Sequence, residues 1–120
     1  MDSKIKKYLK ILTIELEDLV VDLTFNEKII EQRLKRHEIT EYVFRENVSL
    51  IKKEIIGIGK IKKLIKTSSK GIKSIESFRE IVENYFKVEI EAAGIPDVVM
   101  LLVNRKLDKV EKYINIEDDI

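Results

Sequence analysis

The sequence predicts an all-α protein, an antiparallel bundle of four to five helices in a single domain. Apolar residues recur three and four positions apart along almost the whole chain, and charged residues fill the gaps. That spacing follows the turn of an α-helix and not the alternation of a β-strand. A chain of 120 residues with 44% hydrophobic residues can bury one core but is too short for two ordinary domains. We therefore expect a helical bundle over residues 1–116 and a frayed acidic end at residues 117–120.

The first predicted helix covers residues 4–23. Its apolar seam has the 4-3-4-3-4 spacing of helices that pack against one another, with Ile5, Leu9, Leu12, Leu16, Leu19 and Leu23. Ile14, Val21 and Phe25 fall on the opposite face. These are either isolated exposed apolar side chains, which are ordinary on protein surfaces, or signs of a helix that is buried on two faces, at the centre of the bundle or at a subunit contact.

Two threonines suggest further helix starts. Thr24 with Glu27 fits a capping box, so a second helix starts there and runs to about residue 36, or else the first helix continues through this point. Thr40 fits the N-cap of the next helix, predicted over residues 41–66.

Glycine, proline and hydroxyl residues mark the later boundaries. Residues 67–71, with the sequence Thr-Ser-Ser-Lys-Gly, predict a loop. The next helix begins at residue 72 or 74 and runs to residue 93. Gly94 suits the left-handed position that ends a helix, and Pro96 and Asp97 suit the first turn of a last helix, predicted to end near residue 114. Because these connections are short, neighbouring helices are expected to run antiparallel.

The start of the last helix is apolar on all sides over residues 98–103. A helix of that kind must be covered all round, so this segment is either the centre of the bundle or part of an oligomer interface. Together with the second face of the first helix it favours a homodimer. The candidate interface residues are Ile14, Val21, Phe25, Val98, Met100 and Leu101.

Charge is distributed unevenly along the chain, although its net charge is only +1. Residues 55–73 carry six lysines and no acid, namely Lys60, Lys62, Lys63, Lys66, Lys70 and Lys73. These lysines form a solvated face that balances nearby acidic helices, a strip that contacts the phosphates of DNA or RNA, or a surface for anionic membranes. The strip lacks aromatic residues for base stacking, and its apolar side lacks the Trp or Phe expected of a membrane-bound helix.

One carboxylate occupies an apolar position. Glu89 follows Val82 and Tyr85 in the heptad of its helix, where a buried charge must be paired. We expect a lysine from another helix as its partner.

The sequence offers no recognisable reaction centre. It has no cysteine and one histidine, His37, so thiolate chemistry and His-based metal clusters are excluded. Pairs of carboxylates three residues apart do occur, but they are common by chance in a chain with 22 acids. We predict no catalytic, cofactor-binding or metal-binding residue, and keep a carboxylate-metal-dependent hydrolase as a minor alternative.

The leading expectation is therefore a non-enzymatic helical interaction or scaffold module that associates with itself or with another protein. The main alternative is a nucleic-acid-associated protein that uses the lysines between residues 60 and 73. With no signal sequence and no apolar run long enough to span a bilayer, we expect a soluble cytoplasmic protein. Its high content of Ile, Lys and Glu is typical of heat-adapted proteins.

Overall fold

The residues that the structure describes form four α-helices. The structure, a computed structural model, describes residues 3–68 and 70–119, with side chains to residue 117. The helices are α1 (Ser3–Lys35), α2 (Glu41–Ser68), α3 (Ile75–Ala93) and α4 (Asp97–Asp119), and no strand occurs in those residues. The all-α class is confirmed, with four helices and not five.

Helix α1 is continuous over 33 residues. The open choice at Thr24 is thereby settled, because the Thr24 hydroxyl donates to the carbonyl of Val20 (2.9 Å) within the same helix and does not cap a new one. No glycine or proline follows to end the helix, and the next turns hold good helix formers such as Glu27, Lys28 and Glu31.

The predicted cap at Thr40 is present, and Ser74 caps the following helix. The backbone N–H of Val43 donates to the Thr40 hydroxyl (3.2 Å), and that of Ser77 donates to the Ser74 hydroxyl (3.1 Å). Ser74 is therefore the N-cap of α3, and its extended backbone matches that role. Gly94 ends α3 with φ +66°, the left-handed conformation predicted for it.

Two boundaries differ from expectation. Helix α2 runs to Ser68, so Thr67 belongs to the helix and not to the loop, and its hydroxyl donates back to the carbonyl of Lys63 (3.1 Å). Helix α4 continues to Asp119, past the predicted end near residue 114. The expectation of a frayed end concerns in part Ile120, which lies outside the described residues.

The core is built from one face of each helix. The seam predicted for α1 is buried along its whole length. The other helices contribute Ile51, Ile58, Ile61, Ile65, Phe78, Val82, Phe86, Val99, Val103, Leu107, Val110 and Ile114. Tyr8 of α1 is fully buried, its ring edge faces Phe78 of α3 (6.3 Å between centroids), and its hydroxyl donates to the carbonyl of Leu107 in α4 (3.2 Å). One side chain thus joins three helices.

A guanidinium joins α3 to α4. Arg79 donates to Glu111 (2.8 Å) and lies 2.7 Å from a carboxylate oxygen of Asp108. Desolvation lowers the pKa of Arg79, but its hydrogen bonds to Asp108 and Glu111 outweigh that effect and raise the pKa above its usual value.

The far halves of α1 and α2 add little to this core, and in residues 24–50 only the partly buried Ile30 packs against it. No residue from 24 to 50 is buried, whereas buried positions recur on both sides of that segment. The molecule measures 53 × 35 × 18 Å with a radius of gyration of 16.6 Å, against about 14 Å for a compact domain of this length. We call residues 24–50 the arm.

Candidate functional site

The outer face of α1 carries an uncovered apolar stripe. Ile14, Val21, Phe25 and Ile29 are all exposed, with Val21 at 65% and Phe25 at 62% of their full accessibility. Their spacing of seven, four and four places them on one side of the helix, opposite the buried seam. Within this chain, therefore, α1 is buried on one face only. We call these four residues the α1 stripe.

The first turns of α4 are covered on one side and open on the other. Val99 and Val103 are buried, but the segment is not covered all round within this chain. Val98 and Leu101 are exposed, Leu101 at 58%. Met100 is partly buried and packs against the core, which sets it apart from the other predicted interface residues.

Ion pairs between α1 and α4 show how the two apolar regions are placed. Lys7 of α1 pairs with Glu117, whereas Glu15, farther along α1, pairs with Lys106 (3.2 Å), farther back along α4. In these two ion pairs, the later residue of α1 contacts the earlier residue of α4. If the two helices keep this order for about another turn and a half, Leu101 comes level with Val21.

Glu15 is the electrostatic centre of the α1–α4 contact. It accepts from Lys109 (2.8 Å) and Lys106 (3.2 Å) and is mostly shielded from solvent. The hydrogen bond from Lys109, with the second one from Lys106, lowers the pKa of the Glu15 carboxyl despite its partial burial. The residues that form ion pairs thus lie along the contact between α1 and α4, and the α1 stripe contains apolar side chains only.

The lysine that pairs with Glu89 is Lys60 of α2. The Lys60 ammonium lies 3.0 Å from a carboxylate oxygen of Glu89 and joins α2 to α3. That hydrogen bond is the main cause of a raised pKa at Lys60. The expectation of a lysine from another helix is confirmed, and Lys60 is therefore committed to an internal contact.

The other lysines of the 60–73 segment face elsewhere. Lys62 pairs with Glu17 of α1 (3.5 Å). Lys63, Lys66, Lys70 and Lys73 are exposed. The six lysines thus do not form one strip, because Lys60 points towards α3 while Lys62 points towards α1.

A groove runs between α1 and α2 beside these lysines. Its volume is about 520 Å³, and it is lined by Thr13, Glu17, Gly59, Lys62, Lys63, Ile65 and Lys66. A Cβ added at Gly59 would meet no atom within 4 Å, so the missing side chain leaves the groove open there. We call it the α1–α2 groove.

Glu54 is the charged residue that the sequence reasoning missed. It lies among the buried residues of α2, with 8% of its surface accessible and no ion pair or hydrogen bond within the described part of the chain. Desolvation raises the pKa of its carboxyl. The signal was present in the sequence, because the 3-4-3-4 series of Ile51, Glu54, Ile58, Ile61 and Ile65 is a heptad seam with a carboxylate in it.

The described residues hold no group of three or more His, Asp or Glu side chains placed to bind a metal ion. None of the four helices, as far as they are described, is apolar over a length that could cross a bilayer. No protein-family model matches this chain, and no curated protein and no solved structure matches it. Its own surfaces are therefore the basis for inferring its function.

Proposed function

We propose that this chain is a small, non-enzymatic helical interaction module that forms a homodimer through the α1 stripe and the adjoining first turns of α4. The observation that carries the proposal is the exposure of Val21 and Phe25, which lie on one line of α1 and have no cover from their own chain. Single exposed apolar residues are ordinary, but an aligned series that includes an aromatic side chain favours a docking surface.

The size of this surface suits a modest dimer. The α1 stripe spans about 22 Å from Ile14 to Ile29 at 1.5 Å per residue. Val98 and Leu101 widen it on the α4 side. A stable interface buries about 800 Å² on each partner, which two helices side by side can supply.

The charges along the α1 stripe favour a second copy as the partner. If two α1 helices pair in opposite directions about a twofold axis level with residue 23, positions that sum to 46 face each other. Val21 then meets Phe25 of the second copy, and Asp18 meets Lys28. Such an isologous contact makes each apolar and each charged pair twice, and opposite charges across an interface help set its register.

An antiparallel arrangement of the bundle belongs to the same proposal. The falling order of α4 partners along α1 supports it for that pair. Arg79, near the start of α3, reaches Asp108 and Glu111 in the second half of α4, which supports it for α3 and α4. The α1 stripe then lies on the outer face of the bundle, where a second molecule can pack against it along α1.

Sedimentation velocity over a range of concentrations tests the proposal. We expect a dimer for the natural chain and a monomer for Phe25→Asp, because a charge would be buried in the interface. Val88→Asp is the matched control, since Val88 is 63% exposed on α3, away from the stripe. Met100 is unsuitable for this purpose because a charge there would also disturb the core.

A charge swap tests the register. Asp18→Lys alone and Lys28→Asp alone place like charges opposite each other and should weaken the dimer, whereas the double variant should restore it. A natural chain that stays monomeric at high micromolar concentration contradicts self-association. A dimer unaffected by Phe25→Asp contradicts the α1 stripe as its site.

A further inference from the structure

The α1 wall of the α1–α2 groove continues as a row of lysines. Thr13 and Glu17 line the groove. Lys6 and Lys10 precede them at the 4-3-4 spacing of one helix face. Both are exposed, and neither forms an ion pair with a described acid. Lys7 points away from this face, because it pairs with Glu117 of α4.

The two walls converge on the same end of the bundle. The Lys62–Glu17 pair marks one level of the groove. One to two turns farther along α2 and back along α1 lie Lys66 and Lys10. Beyond the end of α2, Lys73 and Lys4 line a cavity that Glu76 and Glu111 also line. Positive charge is therefore concentrated along the groove itself, where Glu17 is the single acid among the described lining residues.

We propose that the α1–α2 groove binds the phosphate backbone of double-stranded nucleic acid through Lys6 and Lys10 of α1 together with Lys62, Lys63 and Lys66 of α2. The site differs from the lysine strip that the sequence suggests, because Lys60 is held by Glu89 and two contributing lysines come from a helix more than fifty positions away.

The chemistry of the groove decides between polyanions. Lysines are compact point charges that bind phosphates without reading base edges. The described residues lining the groove include no aromatic side chain, so it lacks the stacking platforms that hold single strands. Its apolar lining likewise has no Trp or Phe to enter a lipid interface. A duplex, whose bases are stacked inside and whose phosphates face outward, is the polyanion that fits. Binding would be independent of sequence and strongly dependent on salt.

The Glu17–Lys62 pair does not block this role. Both side chains are substantially exposed, and the pair is 3.5 Å long. Exposed pairs of this kind contribute about 0 to 1 kcal/mol, so Lys62 can turn to a phosphate at small cost.

Fluorescence anisotropy of a short labelled duplex DNA, from about 50 to about 200 mM salt, tests the inference. The variant is Lys6→Glu with Lys10→Glu. Both positions are exposed, so the variant should fold, and circular dichroism checks that it does. The matched control is Lys53→Glu with Lys112→Glu, which makes the same change in net charge at exposed sites. Lys53 is nine positions from Lys62, on the opposite side of α2.

We expect the groove variant to lose about tenfold or more in affinity, and the slope of log affinity against log salt to fall by about 1 for each lysine removed. The control should bind like the natural chain apart from a small uniform loss. Sedimentation of both variants should show an unchanged oligomeric state.

Three results would overturn the inference. One is no duplex binding by the natural chain even at the lowest salt. Another is an equal loss of affinity in the groove variant and the control. The third is tighter binding, lost in the groove variant, to a single strand or to vesicles containing phosphatidylserine, which would assign the groove to that ligand instead.

Discussion

Gly57 of α2 lies directly against Val99 of α4. A Cβ built on Gly57 would be 3.1 Å from one Val99 methyl, 3.3 Å from the other and 3.0 Å from a methyl of Ile95. Val99 and Ile95 are themselves buried. The glycine thus allows α4 to begin close against the backbone of α2.

We expect Gly57→Ala to lower the free energy of unfolding and Gly59→Ala to raise it. Both substitutions gain about 1 kcal/mol of helix propensity. At Gly59 the new methyl meets nothing within 4 Å, so the gain is kept. At Gly57 the crowding of three methyls offsets it, since overpacking a core costs about 1 to 3 kcal/mol. Urea unfolding measures both variants.

A double-mutant cycle identifies the cause. Adding Val99→Ala to Gly57→Ala removes two of the three crowded methyls, so the double variant should be more stable than the two single effects predict, by about 1 kcal/mol. Equal gains from alanine at Gly57 and at Gly59 would show that the two helices separate without cost.

Glu54 should be a destabilising residue at neutral pH. Burial raises the pKa of its carboxyl above that of the unfolded chain, so the folded state holds the proton more readily. The cost of the ionised group is therefore present in full above the folded-state pKa, and it disappears as the pH falls below the unfolded value of about 4.3.

Replacing Glu54 with leucine should raise the free energy of unfolding by about 1 to 2 kcal/mol at pH 7. The advantage should shrink on going to about pH 4, where the natural carboxyl is protonated. Chemical denaturation at both pH values, at one fixed protein concentration, gives the comparison. Glu46→Leu, at an exposed position of the same helix, should change stability by less than about 0.5 kcal/mol. If Glu54→Leu destabilises the protein at both pH values, the carboxylate has a stabilising partner and this account is wrong.

His37 ends α1 in a conformation that side chains rarely adopt. Its φ is 60°, the N–H of Glu38 donates to the carbonyl of Arg33 (2.9 Å), and the N–H of His37 donates to the carbonyl of Leu34 (3.0 Å). This pair of hydrogen bonds is a Schellman motif with His37 at the left-handed position that glycine usually fills.

Substituting glycine for His37 should therefore stabilise the protein by about 0.5 to 1 kcal/mol, by relieving the strain of a Cβ in the left-handed region. Thermal unfolding provides the measurement. His37→Ala is the control, since it removes the imidazole but keeps the Cβ and should bring no gain. Equal melting temperatures for the two variants would mean that this backbone strain is negligible.

The periodicity of the sequence predicted the structural features that depend on one helix alone. The α1 seam, the cap at Thr40, the left-handed Gly94 and the unsuitable heptad position of Glu89 follow from spacing and backbone preference, and each is found. Glu54 was missed because Ile55, its neighbour, also continues a plausible apolar stripe, and spacing alone does not choose between adjacent residues.

What depends on the neighbouring helix was not predictable. A helical wheel places Lys60 and Lys62 on one polar side of α2, but only packing shows that Lys60 meets Glu89 and Lys62 meets Glu17. Likewise, Lys6 and Lys10 are far from the other groove lysines in sequence. Only the folded chain brings the two groups to one groove.

The arm divides the molecule into two levels of stability. The helical parts of residues 24–50 have at most partly buried side chains to reinforce them, so we expect them to open at a lower free energy than the bundle and to exchange their amide protons sooner. Phe25 and Ile29 belong to this segment. A partner that covers Phe25 and Ile29 would therefore also slow the fraying of the arm. Part of its binding free energy would then be used to order the arm, so the stability of this segment would depend on the bound partner.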